Sequence, residues 1–280
     1  MILPNRVLRA GDVADHYDEL DPIYRQIWGE HVHHGLWRSG RETVAEAIEA
    51  LSDEVGEWIG LGENRSMRLV DIGCGYGGTA RRFARRHDAE VIGYTLSRQQ
   101  AARAPSAAGV EIRVGDWLQN DLPDAAFDGA YAIESTEHMA DKPGFFAQAF
   151  RVLRPGGRLV ICAWLAAKDA SPVAVRHLLE PICREGRLAS MGSRADYDAM
   201  ARNAGFVPGG YEDVSREVRR TWAICGRRLL RRLFTDPAYA RFLLSRRARN
   251  RIFALSLPRL ILAYRIGAMG YGVFVFDKPV

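Results

Sequence analysis

Apolar positions along the 280-residue chain change period several times, and the changes mark out its elements. From Asp12 to Trp37, Val13, Tyr17, Leu20, Ile23, Tyr24, Ile27 and Trp28 recur at helical spacing, interrupted at Asp21-Pro22. Glu42–Gly60 reads as an amphipathic helix, with Val44, Ala47, Ile48, Leu51, Val55 and Ile59 on one face. The short apolar strand Leu69-Val70-Asp71-Ile72 then breaks into glycine at 73, 75, 77 and 78, and a helix follows from Thr79. Strands at Glu90–Thr95, Val110–Val114, Phe127–Ile133 and Arg158–Trp164 alternate with helices at Ser97–Ala104 and Pro143–Leu153, the last stopped by Arg154-Pro155-Gly156-Gly157. This β-α alternation predicts an α/β fold with a doubly wound, mostly parallel sheet.

Beyond the fifth strand the alternation ends. Pro172–Gly186 reads as a helix kinked at Pro181, and Ser193–Ala204 as another, with Ser193 as N-cap. Phe206–Val214 and Tyr271–Phe276 complete a seven-stranded sheet as an antiparallel pair. The segment between them, 217–267, is a helical insertion with apolar stripes at Leu229, Leu230, Leu233 and Phe234 and at Phe242, Leu243 and Leu244. One domain, 1–280, is expected: an N-terminal lid (1–40), a core (41–165), cap helices (166–204), and the last two strands with their insertion (205–280).

Hydrophobic content of 48% is enough for a full core, and no run approaches the roughly 18 apolar residues of a membrane-spanning helix. Cysteines 74, 162, 183 and 225 are widely and irregularly spaced, which suits free thiols in a cytoplasmic protein. The net charge of +5 is regional: Arg216–Arg265 holds fourteen arginines against Glu217 and Asp236, so the rest of the chain is negative. Nucleic acid is therefore not the expected partner. His31, His33 and His34 have metal-ligand side chains, but no cysteine or carboxylate pair accompanies them, and no metal site is expected. Trp28–Trp37 reads instead as a loop plugged into the body by its tryptophans, or as a lid that excludes water.

Strand, glycine turn and helix let a ligand approach backbone closely. Gly73-x-Gly75-x-x-Gly78 satisfies the dinucleotide fingerprint, yet the second strand ends in Gly93-Tyr94-Thr95-Leu96-Ser97, without the carboxylate that a nicotinamide ribose requires. Asp71, two residues before the first glycine, would repel a pyrophosphate and attract an ammonium group. Asp116 and Trp117 follow the third strand, a carboxylate for an adenine amino group beside a ring to stack on it. S-adenosylmethionine (SAM) has an ammonium, an adenine and no phosphate.

Asp-Ile-Gly-Cys-Gly-Tyr-Gly-Gly at 71–78, Gly115-Asp116-Trp117 and Leu153-Arg-Pro-Gly-Gly157 together resemble class I SAM-dependent methyltransferases. Trp28-Gly-Glu-His-Val-His-His-Gly-Leu-Trp37, Glu134-Ser-Thr-Glu-His-Met139 and the ending from Leu257-Pro to Lys278-Pro279 resemble the γ-tocopherol methyltransferase group. Thr95-Leu96-Ser97…Gln100 is similar to the SAM site of cyclopropane fatty acid synthases, and the N-terminal segment resembles glycine/sarcosine-type N-methyltransferases. The resemblance implies a Rossmann-like SAM methyltransferase fold. It places Gly73, Cys74 and Gly75 under the methionine part of SAM, with Asp71 on its ammonium. Thr95, Leu96 and Gln100 would serve the ribose and adenine, Gly115, Asp116 and Trp117 the adenine, and Tyr24 the methionine end.

Methyl transfer from a sulfonium needs collinear donor and acceptor in a dry site, and a base only where the acceptor loses a proton. His138, Glu137 and Glu134, after the fourth strand, are the candidate bases. The expected activity is methyl transfer to a small lipophilic or aromatic acceptor. Carbon is favoured by the tocopherol-type resemblance, with N- or O-methylation as the alternative. The arginine-rich insertion has three readings: a solvated cap, a grip on an anionic acceptor such as a prenyl diphosphate, or a peripheral membrane contact. A homodimer is an open expectation. A nicotinamide oxidoreductase and a catalytically silent SAM-binding protein are the rivals from other classes.

Overall fold

The computed structural model describes residues 1–4, 8–62, 66–245, 250, 252 and 256–280. Seven strands form one sheet: β1 Arg68–Ile72, β2 Glu90–Thr95, β3 Val110–Val114, β4 Phe127–Ile133, β5 Leu153–Ala166, β6 Val207–Asp213 and β7 Met269–Asp277. Their spatial order is β3-β2-β1-β4-β5-β7-β6, with β1 to β5 mutually parallel and β7 antiparallel to both its neighbours. The chain leaves β1 toward β2 on one side, while β4 lies on the other. Their carboxyl ends therefore open a crevice at the reversal of strand order, where an open α/β sheet binds its ligands.

The central strands are apolar on both faces because both faces are covered. Leu69, Val160 and Val275 point to one core, packed against Leu51, Val55 and Ile59 of helix α2 (Val44–Ile59) and Ala80 and Phe83 of α3 (Gly78–His87). Val70, Leu159, Ile161 and Phe274 point to the other, against Phe145, Phe146 and Ala149 of α5 (Lys142–Val152), which follows the short α4 (Arg98–Arg103). Helix α2 is bounded as a sequence dictates: Thr43 and Glu46 make a reciprocal capping box, and Gly60 ends it in the left-handed conformation (φ 89°).

Three details differ from the expected elements. Helix α1 (Ala10–Ile27) runs unbroken through Pro22, since Leu20, Ile23, Tyr24 and Ile27 are buried on both sides of the proline and hold the helix together. The helix predicted to kink at Pro181 is continuous but compound: α6 (Pro172–Ala174), a π-type turn at Val175–Leu179, then α7 (Glu180–Glu185). Proline cannot bond back to the carbonyl four residues earlier, and the wider turn absorbs the missing bond. The fifth strand also starts earlier than predicted, at Leu153.

Helix α8 (Arg194–Asn203) is capped by Ser193 as expected. Between β6 and β7 lie α9 (Ser215–Val218), α10 (Arg220–Thr235), α11 (Pro237–Leu244) and α12 (Ser256–Arg265). Residues 246–249, 251 and 253–255 of the predicted insertion lie outside the described residues. No described helix is long and apolar enough to cross a membrane.

Candidate active site

The carboxyl ends of β1 to β4 border a cavity of about 1130 Å³ that includes part of the space at its open mouth. Gly73 (φ 84°) and Gly75 (φ 57°) form its floor, and a Cβ on Gly73 would sit 2.3 Å from that of Ser135. Only glycine fits there. Asp71, Cys74, Thr95, Leu96, Gln100, Gly115, Asp116 and Trp117 line the walls, so the expected cofactor residues meet in one place, Tyr24 excepted.

Asp71 is buried, and burial raises its pKa to about 7. A cation beside it would restore the carboxylate, so this is a place built for an ammonium. The hydroxyl of Thr95 donates to Gln100 Oε1 at 2.8 Å, leaving the Gln100 amide nitrogen on the side of Gly75. Asp116 accepts from Leu118 N at 3.0 Å, which fixes its carboxylate at the head of a short 3₁₀ turn, and Trp117 is anchored through Nε1 to the Phe145 carbonyl. These residues fit SAM on their chemistry: a buried acid for an ammonium, uncharged partners for a ribose and no phosphate cradle.

The segment from Trp28 to Trp37 closes over this cavity. His31 lies on the glycine turn, its ring 2.7 Å from where a Gly78 Cβ would be. His33 Nδ1 donates to the His34 carbonyl at 2.8 Å, so its Nε2 accepts from His31 Nδ1 at 3.2 Å. Glu30 pairs with Arg81 at 2.7 Å. Among the described residues no group of three or more His, Cys, Asp or Glu is placed to hold a metal ion.

Glu134 is the node that ties this segment to the sheet. Its Oε1 accepts from His34 N at 2.7 Å, His34 Nδ1 at 2.9 Å and the Tyr271 hydroxyl at 2.8 Å, and its Oε2 accepts from Trp164 Nε1 at 3.0 Å. Burial alone would raise its pKa, but His34 and its hydrogen bonds prevail and bring it down to about 2. Glu134 thus stands in the structure as a hydrogen-bond acceptor for His34, Tyr271 and Trp164. Glu137 is also buried; its Oε1 accepts from Trp164 N at 2.6 Å, and burial pushes its pKa up. The buried Lys142 nearby, held by Ser190 and the Met139 carbonyl, is pushed down.

A second cavity, about 660 Å³, adjoins the first and shares Tyr17, Val32, Glu134 and His138 with it. Its other walls are Tyr24, Trp28, Trp164 and Trp222, together with Ile182, Leu188, Leu257 and Leu260. Among the described residues no arginine or lysine lines it. At the shared border, His138 Nδ1 lies 2.9 Å from the Arg187 carbonyl, which can only accept. Nδ1 therefore carries the proton, and Nε2 receives the Tyr17 hydroxyl at 2.9 Å. Burial lowers the His138 pKa to about 4 and raises that of Tyr17, so both are neutral near pH 7. Tyr24, expected at the methionine end of SAM, is among the residues lining this second cavity and not among those lining the first, and its hydroxyl donates to His16 Nε2.

The sequence reading singled out His138 but gave Tyr17 only a place in a helical apolar pattern, and it did not single out His16, Trp164, Trp222 or Asn250. No local spacing signals a contact between residues 17 and 138.

A glycine-floored cavity with a buried acid at the end of β1, beside an aromatic-walled cavity, defines a SAM-dependent methyltransferase of small molecules. The chain belongs to the family described as mycolic acid cyclopropane synthetase, whose pattern its residues 6–240 match. It is 36% identical over 219 residues to 27-O-demethylrifamycin SV methyltransferase of Amycolatopsis mediterranei (strain S699), covering 75% of this chain and 79% of that one. It is 30% identical over 295 residues to the chloroplastic tocopherol O-methyltransferase of Arabidopsis thaliana, covering 98% and 83%. Its fold matches a mycolic acid cyclopropane synthase complexed with SAH and CTAB, with a TM-score of 0.84 at 22% identity over 98% of this chain and 99% of that one.

Proposed function

We propose that the enzyme methylates a neutral, hydroxyl-bearing aromatic acceptor bound between Tyr17, Trp28, Trp164 and Trp222, after the Tyr17–His138 pair has taken the hydroxyl proton. The observation that carries this is the border shared by the two cavities, where an uncharged histidine is linked through a tyrosine to both. When bound, SAM supplies an electrophilic methyl group on a sulfonium whose leaving group needs no help. Asp71 would hold its ammonium and the backbone at Gly73, Cys74 and Gly75 its methionine chain. Thr95, Leu96 and Gln100 would take the ribose, and Gly115, Asp116 and Trp117 the adenine.

The acceptor hydroxyl gives its proton to the Tyr17 oxygen as the Tyr17 proton passes to His138 Nε2, and the Arg187 carbonyl holds the imidazolium through Nδ1. The resulting phenolate is nucleophilic at ring carbon and at oxygen. Carbon methylation remains the first reading. Methylation at oxygen is the second, favoured by the O-methyltransferases among the relatives. SAM turnover against phenols, prenyl diphosphates, amines and sterol-like lipids tests the proposal. Methylation of phenols is expected, and turnover of diphosphates alone would refute it.

We also place the cap against anionic lipid. Leu230, Phe234 and Leu244 are exposed on α10 and α11 beside exposed Arg227, Arg231 and Arg241, which suits an interfacial surface. The protein should sediment with phosphatidylglycerol-containing vesicles and not with phosphatidylcholine alone, and Phe234→Asp should weaken that binding. Equal sedimentation with both kinds of vesicle would count against it.

A further inference from the structure

Strands β1 and β4 lie side by side, and just below the cavity floor their register pairs Asp71 with Tyr131. Paired residues of neighbouring strands stand on the same face, so an acid and a tyrosine share one place in the core beside α3. Tyr131 is fully buried, its ring 5.2 Å from that of Phe83 and inclined by 68°. Gly129, two residues earlier on that face, leaves its space to Ile59 and Leu69, whereas Ile133, two residues later, reaches the cavity. Asp71 lines the cavity and Tyr131 does not.

The Tyr131 hydroxyl makes no hydrogen bond of ordinary geometry. A buried hydroxyl without a partner lowers stability, and phenylalanine would fill the same space without one. The group this hydroxyl acts on as a donor is the neighbouring Asp71 carboxyl. Burial drives Asp71 toward its protonated form, and Tyr131 opposes that. A donor bonds a carboxylate more strongly than a carboxylic acid, so the hydroxyl favours the charged form that an ammonium needs.

We propose that Tyr131 is a positioning residue for the methyl donor: from inside the core its hydroxyl holds Asp71 as a carboxylate, so that the donor's ammonium meets a charge already formed. The proposal rests on the reading that Asp71 takes that ammonium, and it extends the donor site to a residue that no ligand touches. Without the hydroxyl, Asp71 keeps its proton to higher pH, and binding the ammonium must expel it. The resulting pH dependence belongs to Asp71. Around the same cavity burial pushes Tyr17, Cys74 and Tyr94 up and His31, His33 and His138 down, and Glu134 is held at about 2. Asp116 is fixed by Leu118 N, and on α3 Arg81 is paired with Glu30 and Arg82 with Asp53.

The test is calorimetry of S-adenosylhomocysteine (SAH), which carries the same ammonium, on the full-length protein at pH 7 and pH 8. Tyr131→Phe should weaken SAH binding about fivefold at pH 7 and no more than about twofold at pH 8. 5′-Methylthioadenosine, which keeps the adenosine and sulfur but has no ammonium, should bind wild type and variant alike. The thermal transition of ligand-free Tyr131→Phe should be unchanged or raised, since the variant buries no unpaired hydroxyl. Asp71→Asn should weaken SAH binding at both pH values, and adding Tyr131→Phe to it should weaken binding no further. Unchanged SAH affinity in Tyr131→Phe, a loss that is the same at pH 7 and pH 8, or an equal loss for 5′-methylthioadenosine overturns the proposal and leaves the role of Asp71 standing. Full SAH affinity in Asp71→Asn would instead overturn the reading of Asp71, and that of Tyr131 with it.

Discussion

Glu134 adopts a left-handed backbone angle (φ 54°) that is unusual for a residue with a side chain. The conformation persists because its carboxylate is locked by His34, Tyr271 and Trp164, which join the lid, the last strand and β5 at one point. Removing the charge while keeping the shape leaves donors facing an amide nitrogen. Glu134→Gln should therefore lower stability by about 3 kcal/mol in urea denaturation. A change below about 0.5 kcal/mol would show that the node is dispensable. Tyr17 and His138 depend on geometry rather than on a shifted charge. Their neutrality near pH 7 is what lets a proton pass through both without a stable phenolate on Tyr17.

At the scale of elements, the strands were legible because burial on both faces leaves apolar runs, and the residues lining the glycine-floored cavity because they cluster just after strand ends. The second, aromatic-walled cavity was not. Its walls come from α1, β5, α7, α10 and α12, and a contact such as Tyr17–His138 exists only once α1 has docked across the sheet ends. Helix α1 itself was misread at Pro22 because tertiary burial overrides local propensity. The lid and the glycine turn meet at Gly78, and this contact is testable. Gly78→Ala adds a Cβ 2.7 Å from the His31 ring, so SAM should bind about tenfold more weakly in calorimetry, while alanine in α3 leaves stability unchanged or slightly raised. Lost stability with unchanged SAM affinity would show that the contact only packs.

Over the whole molecule, burial of ionisable groups makes stability depend on pH in a definite way. His16 and His31 fall to about 3 and His138 to about 4, all from 6.5, so the unfolded chain takes up protons below pH 6.5 that the folded protein refuses. Stability supplied by these groups is present above pH 6.5 and is lost as pH falls. Asp71, raised to about 7, works the other way: between its ordinary range and pH 7 the folded form holds a proton that the unfolded chain has lost, and Glu137 acts in the same direction. Below about pH 4 this opposition ends, and Glu134, at about 2, joins the histidines. Denaturation midpoints without SAM should fall moderately from pH 6.5 to 4 and steeply below; a level profile down to pH 3 would contradict these burials. The proposed function has methyl donor and acceptor meet at the Tyr17–His138 border, and one measurement addresses that directly. Single-turnover methyl transfer should be compared for the wild type and Tyr17→Phe, using a phenol that is protonated at pH 7 and a nitrophenol that is already ionised. The variant should be slower by a factor of about 100 or more with the first and nearly unimpaired with the second. Equal loss with both acceptors, or no loss with either, would contradict the role assigned to the pair.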